Sequence, residues 1–207
     1  GFVDLHVHLR EPGQAYKESI ATGTAAAAAG GFTSVCAMPN TSPVNDSAEI
    51  TRWMLQPERG AVVNVFPIAA ATKGSQGTEL TDFAALNRAG AIAVSDDGKP
   101  ILDNGLMKQA LLAASKLRIP VIQHAEDTHL TANSPVNYGE FAFRMGLRGQ
   151  SPDAEAKVVQ RDIALARETS GHLHVAHIST AAALEAIRQA KRHGVRVTCE
   201  VTPHHFS

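Results

Sequence analysis

The chain of 207 residues lacks several features that would have placed it in other classes. It has no basic excess, since 19 Lys+Arg stand against 20 Asp+Glu for a formal net charge of -1. A nucleic-acid module normally gathers surplus positive charge on one face, so no polyanion partner is expected. No apolar run approaches the roughly 18 residues of a membrane span, and no basic-then-apolar leader opens the chain, so no membrane association is expected. Only 2 cysteines occur, Cys36 and Cys199, far apart in apolar runs and in neither a CxxC nor a metal-knuckle spacing. A reduced, cytoplasmic setting is therefore expected. Aromatics are scarce at 5%, and no low-complexity linker divides the chain, so one domain is the economical reading. With 44% hydrophobic and 19% charged residues, the composition supports a sizeable core and excludes disorder.

What is present is a repeat. Apolar or β-branched runs predict strands near Val3–His8, Thr33–Met38, Val62–Ala69, Ala91–Val94, Pro120–His124, His172–His177 and Val195–Val201. The first five begin about 29 to 30 residues apart, the length of one βα unit. Helices are predicted between them: Glu18–Ala29 stopped by Gly30-Gly31, one capped by Asp46 or Ser47, Leu80–Arg88, Asn104–Lys116 after Asp103, Asp153–Glu168, and one opened by Thr180.

A parallel βα repeat can close into a (β/α)8 TIM barrel or spread as an open doubly wound sheet. The turn after the first strand, His6-Val7-His8-Leu9-Arg10-Glu11-Pro12-Gly13, contains no GxGxxG, which disfavours the open sheet. Polar, metal-competent residues recur at the C-terminal ends of the strands, where barrels place their chemistry. The barrel is the expected fold, with about seven of its eight strands in residues 1–207. The start at Gly1 and the stop just after a strand-like run suggest a fragment truncated at both ends. The segment Thr131–Gly149, with Phe141-Ala142-Phe143-Arg144-Met145, is too long for an ordinary connection and reads as a lid, a partner contact or a mobile stretch.

The chain holds 10 histidines, and four of them close predicted strands. His6 and His8 are two apart, so strand alternation sends both imidazoles to one side. His124 ends the fifth strand and His177 the sixth. In a closed barrel these four converge, and neutral imidazoles suit Zn²⁺. A single zinc with an open position rarely needs four of them, so two cations are expected. Two such cations repel unless an anion lies between them. The fourth strand ends Ser95-Asp96-Asp97-Gly98; Asp97 is the expected bridge and Asp96 the alternative.

The runs Gly1-Phe2-Val3-Asp4-Leu5-His6-Val7-His8-Leu9-Arg10-Glu11-Pro12-Gly13, Ala37-Met38-Pro39-Asn40-Thr41, Ser95-Asp96-Asp97-Gly98, Gln123-His124-Ala125-Glu126 and Glu200-Val201-Thr202-Pro203-His204-His205 together resemble a dihydroorotase of the amidohydrolase superfamily. The resemblance implies a zinc-dependent cyclic amidohydrolase converting dihydroorotate reversibly to N-carbamoyl-L-aspartate. It implies that His6 and His8 bind the more buried metal, His124 and His177 the other, and Asp97 both. It places Arg10 and Asn40 on the substrate carboxylate, a role that the planar Arg10 fork suits. His204 and His205 are expected to be structural. The family's general-acid aspartate on an eighth strand and its small β-domain are expected to lie outside these residues, leaving this stretch with weak metal binding and little turnover. Homodimerisation and association with an aspartate transcarbamoylase are the partners the resemblance suggests.

Two rival readings follow from the same residues. A hydantoinase or allantoinase would share the histidines but is expected to carry lysine where Asp97 stands. A non-catalytic scaffold partner of an aspartate transcarbamoylase would be expected to have lost ligands, and the five expected here are all present.

Overall fold

A computed structural model of the chain describes residues 1–206. Seven parallel strands form one curved sheet: β1 (Phe2–Val7), β2 (Phe32–Ala37), β3 (Asn64–Ala69), β4 (Ala93–Ser95), β5 (Val121–Gln123), β8 (Leu173–Val175) and β9 (Val197–Cys199), adjacent in that order. They coincide with the seven expected from sequence. The helices that return the chain are α1 (Ile20–Ala29), α2 (Ala48–Met54), α3 (Phe83–Arg88), α4 (Asn104–Leu117), α7 (Asp153–Thr169) and α8 (Ala181–Arg192). Among the described residues no strand joins β1 to β9, so the wall is a partly closed barrel.

Local chemistry sets the helix starts. Ser19, Ser47, Asp82, Asp103 and Thr180 each accept a hydrogen bond from a backbone N–H of the following first turn. Ser47, rather than Asp46, thus caps α2. The third helix begins at Phe83 instead of Leu80, because Leu80 forms an antiparallel bridge with Thr72 and Asp82 takes the cap. The run of alanines in α1 ends at Gly30, and Gly31 turns the chain with φ +83°.

Alternation along the strands divides the interior into two layers. Val94, Val121, Leu173, Val175 and Val197 face outward and pack with Met107, Leu111, Val159 and Ile187 of the helices. Cys36, Met38, Ile68, Ala93, Ile122 and Ala176 face inward and pack against one another. The inner cluster is the floor of the barrel, and the strand ends rise from it.

The segment between β5 and α7 is folded. It holds α5 (Thr128–Thr131), the two-residue parallel strands β6 (Val136–Asn137) and β7 (Gly149–Gln150), and α6 (Glu140–Arg144). Tyr138, Phe141, Phe143 and Met145 are exposed on it. No helix among the described residues is long and apolar enough to cross a membrane. Cys36 and Cys199 are free thiols.

Candidate metal centre

The register gathers the candidate residues. Ser95 pairs with Ile122, Gln123 with Val175, and Val175 with Cys199. One residue further on, or two beyond Ser95, Asp97, His124, Ala176 and Glu200 stand side by side at the C-terminal rim. Parity then decides which side chains enter. His124 shares the inward face with Ile122, and Asp97 shares it with Ala93, whereas Asp96 shares the outward face with Val94.

Between the two carboxylates offered by sequence, parity therefore selects Asp97. Asp96 turns away and accepts hydrogen bonds from the backbone N–H of Thr72, at 2.9 Å, and from the Thr72 hydroxyl. Asp97 stands among the imidazoles: Oδ1 is 3.6 Å from His6 Nε2 and 3.7 Å from His124 Nδ1, and Oδ2 is 3.6 Å from His8 Nε2. These gaps exceed hydrogen-bond length. They approach the separation of about 3.3 Å between neighbouring ligands of a tetrahedral cation with metal–nitrogen bonds of about 2.0 to 2.1 Å. His177 Nε2 completes the ring at 3.1 Å from His124 Nδ1. Two groups result, His6/His8/Asp97 and Asp97/His124/His177, each with ligand atoms within 4.8 Å of one another and sharing Asp97. The donor set is one that could hold divalent cations.

Three of the four rings are fixed from behind. His6 Nδ1 is 2.6 Å from Glu200 Oε1, His8 Nδ1 is 2.8 Å from Asn40 Oδ1, and His124 Nε2 is 2.9 Å from Glu126 Oε2. Each contact occupies one ring nitrogen with an oxygen and leaves the other aimed at Asp97 or His177. Glu126 and Glu200 had no assigned role on sequence grounds. The signal for Glu126 was its position two residues past His124. For Glu200 it was the polar stripe His172, His174, Thr198 and Glu200 on the inward face of two adjacent strands.

The electrostatics follow from burial and these partners. Burial acts to raise the Asp97 carboxyl, but His124 and His6 outweigh it and hold the group well below the ordinary carboxylate range. Burial acts against charge on His6, yet Asp97 and Glu200 push its pKa up to about 9. His124 is raised too, because Asp97 and Glu126 overcome its burial. His8 is lowered, by burial first and with the nearby Arg10 charge contributing, against the pull of Asp97. His177 is lowered by burial and by the neighbouring His124 and His6.

β1 ends at Val7, and Arg10 lies beyond it in a turn with left-handed backbone, φ +58°. Among the described residues its guanidinium has no hydrogen-bond or ion-pair partner, and its charge still reaches His8. Asn40 is committed to the rim, accepting through Oδ1 from His8 Nδ1 at 2.8 Å and donating through Nδ2 to Asp97 Oδ2 at 3.1 Å. His204 and His205 lie in a short 3-10 turn, Pro203–His205, and are exposed. A cleft of about 560 Å³ opens beside His124 and His177, lined also by Glu126, Tyr138, Ser151 and Thr180, within the size range of small-molecule sites.

The dihydro-orotase-like family model matches residues 1–183. The dihydroorotase of Anaeromyxobacter dehalogenans is 53% identical over all of this chain and 48% of its own length. Those of a Geobacillus species and of Solibacter usitatus are 53% and 50% identical with the same coverage. The chain thus spans about half the length of the curated relatives it matches. Among solved structures, a D-hydantoinase from a Bacillus species superimposes with TM-score 0.74 at 24% identity over 100% of this chain and 48% of the other. The L-hydantoinase from Arthrobacter aurescens gives 0.75 at 21% over 98% and 47%. These two likenesses speak for the TIM-barrel fold of the curved sheet and for nothing further. With its matched length and its half-share of sequence with curated relatives, the chain belongs to the dihydro-orotase-like family.

Proposed function

We propose that this chain carries the metal-binding rim of a cyclic amidohydrolase, acting reversibly between dihydroorotate and N-carbamoyl-L-aspartate. The observation that carries the reading is Asp97, whose two oxygens lie 3.6 to 3.7 Å from the inward nitrogens of His6, His8 and His124. His6 and His8 would hold one cation, His124 and His177 a second, and Asp97 both. Imidazole and carboxylate donors without thiolate suit Zn²⁺, which is the metal proposed. When bound, such a pair supplies Lewis acidity toward an amide carbonyl and lowers the pKa of water.

The chain's own residues supply the rest. Asp97 offsets cationic charge at the shared position, while Asn40, Glu126 and Glu200 keep the rings from turning. Arg10, with its fork free, would receive the carboxylate of the substrate in bidentate fashion and orient the ring amide over the rim. Asn40 would add to that recognition through its place beside His8. The hydantoinase reading draws on likeness of fold alone and gains no separate support from the rim. Homodimerisation and association with an aspartate transcarbamoylase rest on the family resemblance, and a cytoplasmic location on the two free cysteines.

Zinc titration of the purified chain, followed by calorimetric titration with dihydroorotate, tests the reading. Weak uptake of two equivalents, reached at zinc concentrations high enough for a site short of one aspartate, with dihydroorotate binding that depends on the metal and exceeds binding of uncharged hydantoin, is expected. Equal affinity for both ring compounds, or no zinc uptake, would overturn it.

A further inference from the structure

Glu200 follows the last strand of the sheet, 194 residues from His6 on the first, and its side chain is only 14% exposed. Its two oxygens face different strands. Oε1 is 2.6 Å from His6 Nδ1, and Oε2 is 3.3 Å from His174 Nε2. His174 is itself held on its other nitrogen, Nδ1, 2.9 Å from the Thr198 hydroxyl. The same hydroxyl lies 3.0 Å from His172 Nε2. A relay of side chains therefore runs across the paired strands β8 and β9 and ends on β1, which among the described residues has no backbone hydrogen bond to β9.

A neutral imidazole carries one N–H, and the hydrogen bond made by one nitrogen decides which lone pair is left for the other. Glu200 can only accept when ionised, so the proton of His6 belongs on Nδ1 and the lone pair on Nε2. That nitrogen is the one 3.6 Å from Asp97 Oδ1. The other supporting contacts do less. Glu126 is local to His124 and its side chain is 30% exposed, and Asn40 is uncharged.

Resting on the metal-centre reading above, we propose that Glu200 is a positioning residue: it fixes the His6 tautomer that presents Nε2 to the metal, and it ties the end of β9 to β1. Nothing in this role brings Glu200 into contact with the substrate. Its consequences are the orientation of one ring and a side-chain link between β9 and β1.

The test compares the wild-type chain with Glu200→Leu, which removes the acceptor, and Glu200→Gln, which restores an acceptor without charge. Zinc affinity is read by competition with a chromogenic chelator, and the His6 tautomer by nitrogen-15 NMR of histidine-labelled, zinc-free protein above about pH 10, where the His6 ring, with its pKa of about 9, is neutral. Glu200→Leu should weaken zinc binding by about ten- to a hundredfold, the range found when such supporting partners of ligand histidines are removed, and Glu200→Gln should recover part of it. Wild-type His6 should carry its proton on Nδ1, and Glu200→Leu should shift it toward Nε2. Should Glu200→Leu fail to fold, the wild-type spectrum decides, because a proton on Nε2 there overturns the proposal. Lowered stability with unchanged zinc affinity and tautomer would mark a merely structural residue and also overturn it. A wild-type chain that takes up no zinc would bring down the metal-centre reading instead, while the tautomer would still report on the link.

Discussion

Asp162 offers the sharpest test of how the rim is supported from below. It lies on α7 with no exposed surface. Arg161 pairs with its Oδ1 at 2.7 Å, and Gln123 donates to its Oδ2 at 3.1 Å. Arg161 also donates to the carbonyls of Ile101 and Leu102, at 2.7 and 2.5 Å. Gln123 immediately precedes His124, and Ile101 follows the turn that carries Asp97, so one buried cluster backs both. Burial pushes the Asp162 carboxyl up to about 6 from 3.8, with Arg161 and Gln123 opposing but not cancelling it. The folded chain thus holds this proton more tightly than the unfolded one. The associated stability is complete below about pH 3.8 and is lost as pH rises through about 6. A difference of about two pH units, at 1.36 kcal/mol each, makes the whole effect about 3 kcal/mol. Asp162→Asn keeps the shape and cannot titrate. Urea unfolding of both proteins between about pH 4 and about pH 8 should show wild type losing about 2 to 3 kcal/mol relative to the variant, centred between about pH 4 and about pH 6. A difference that is flat, or that grows in favour of wild type toward alkaline pH, would refute the reasoning.

Three further outcomes are expected. Asp97→Asn removes the shared negative charge while keeping the side-chain size, and zinc affinity should fall at least about a hundredfold in a chelator competition, a ligand mattering no less than its supporting partners; a loss under tenfold would count against a bridging role. Arg10→Ala should weaken calorimetrically measured dihydroorotate binding by about ten- to a hundredfold, a loss of roughly 1.5 to 3 kcal/mol for a charge-assisted hydrogen bond, and leave zinc uptake intact. Gly13 sits at φ +88°, and a Cβ there would lie 1.7 Å from the Ser42 carbonyl oxygen, so Gly13→Ala must push apart the Arg10 and Asn40 loops. Dihydroorotate binding should be lost before zinc binding is, and simultaneous loss of both would show that the loops do not act separately from the rim.

The barrel was legible because its signals are local and periodic: each strand run, its cap and its glycine stop lie within one βα unit. His6, His8, His124 and His177 were legible for the same reason, since each closes such a run. The preference for Asp97 over Asp96 was legible as well, because strand parity from Ala93 already sends alternate residues to opposite faces. Glu200 was not, for its meaning depends on which strand the last one meets after the sheet has curved. Nor was the start of α3 at Phe83, where a bridge between Leu80 and Thr72 overrides helix-forming sequence. The segment 128–150 escaped because its two strands are two residues long, too short for any alternation to register.

The two margins of the sheet have a consequence of their own. β1 and β9 each have one flank of main-chain N–H and C=O groups with no neighbouring strand among the described residues, and Phe2, Val3 and Leu5 lie exposed on the first. Glu200 beyond one margin meets His6 on the other, so here the curvature of the sheet is held by side chains, whereas every other neighbouring pair of strands is held by a backbone ladder.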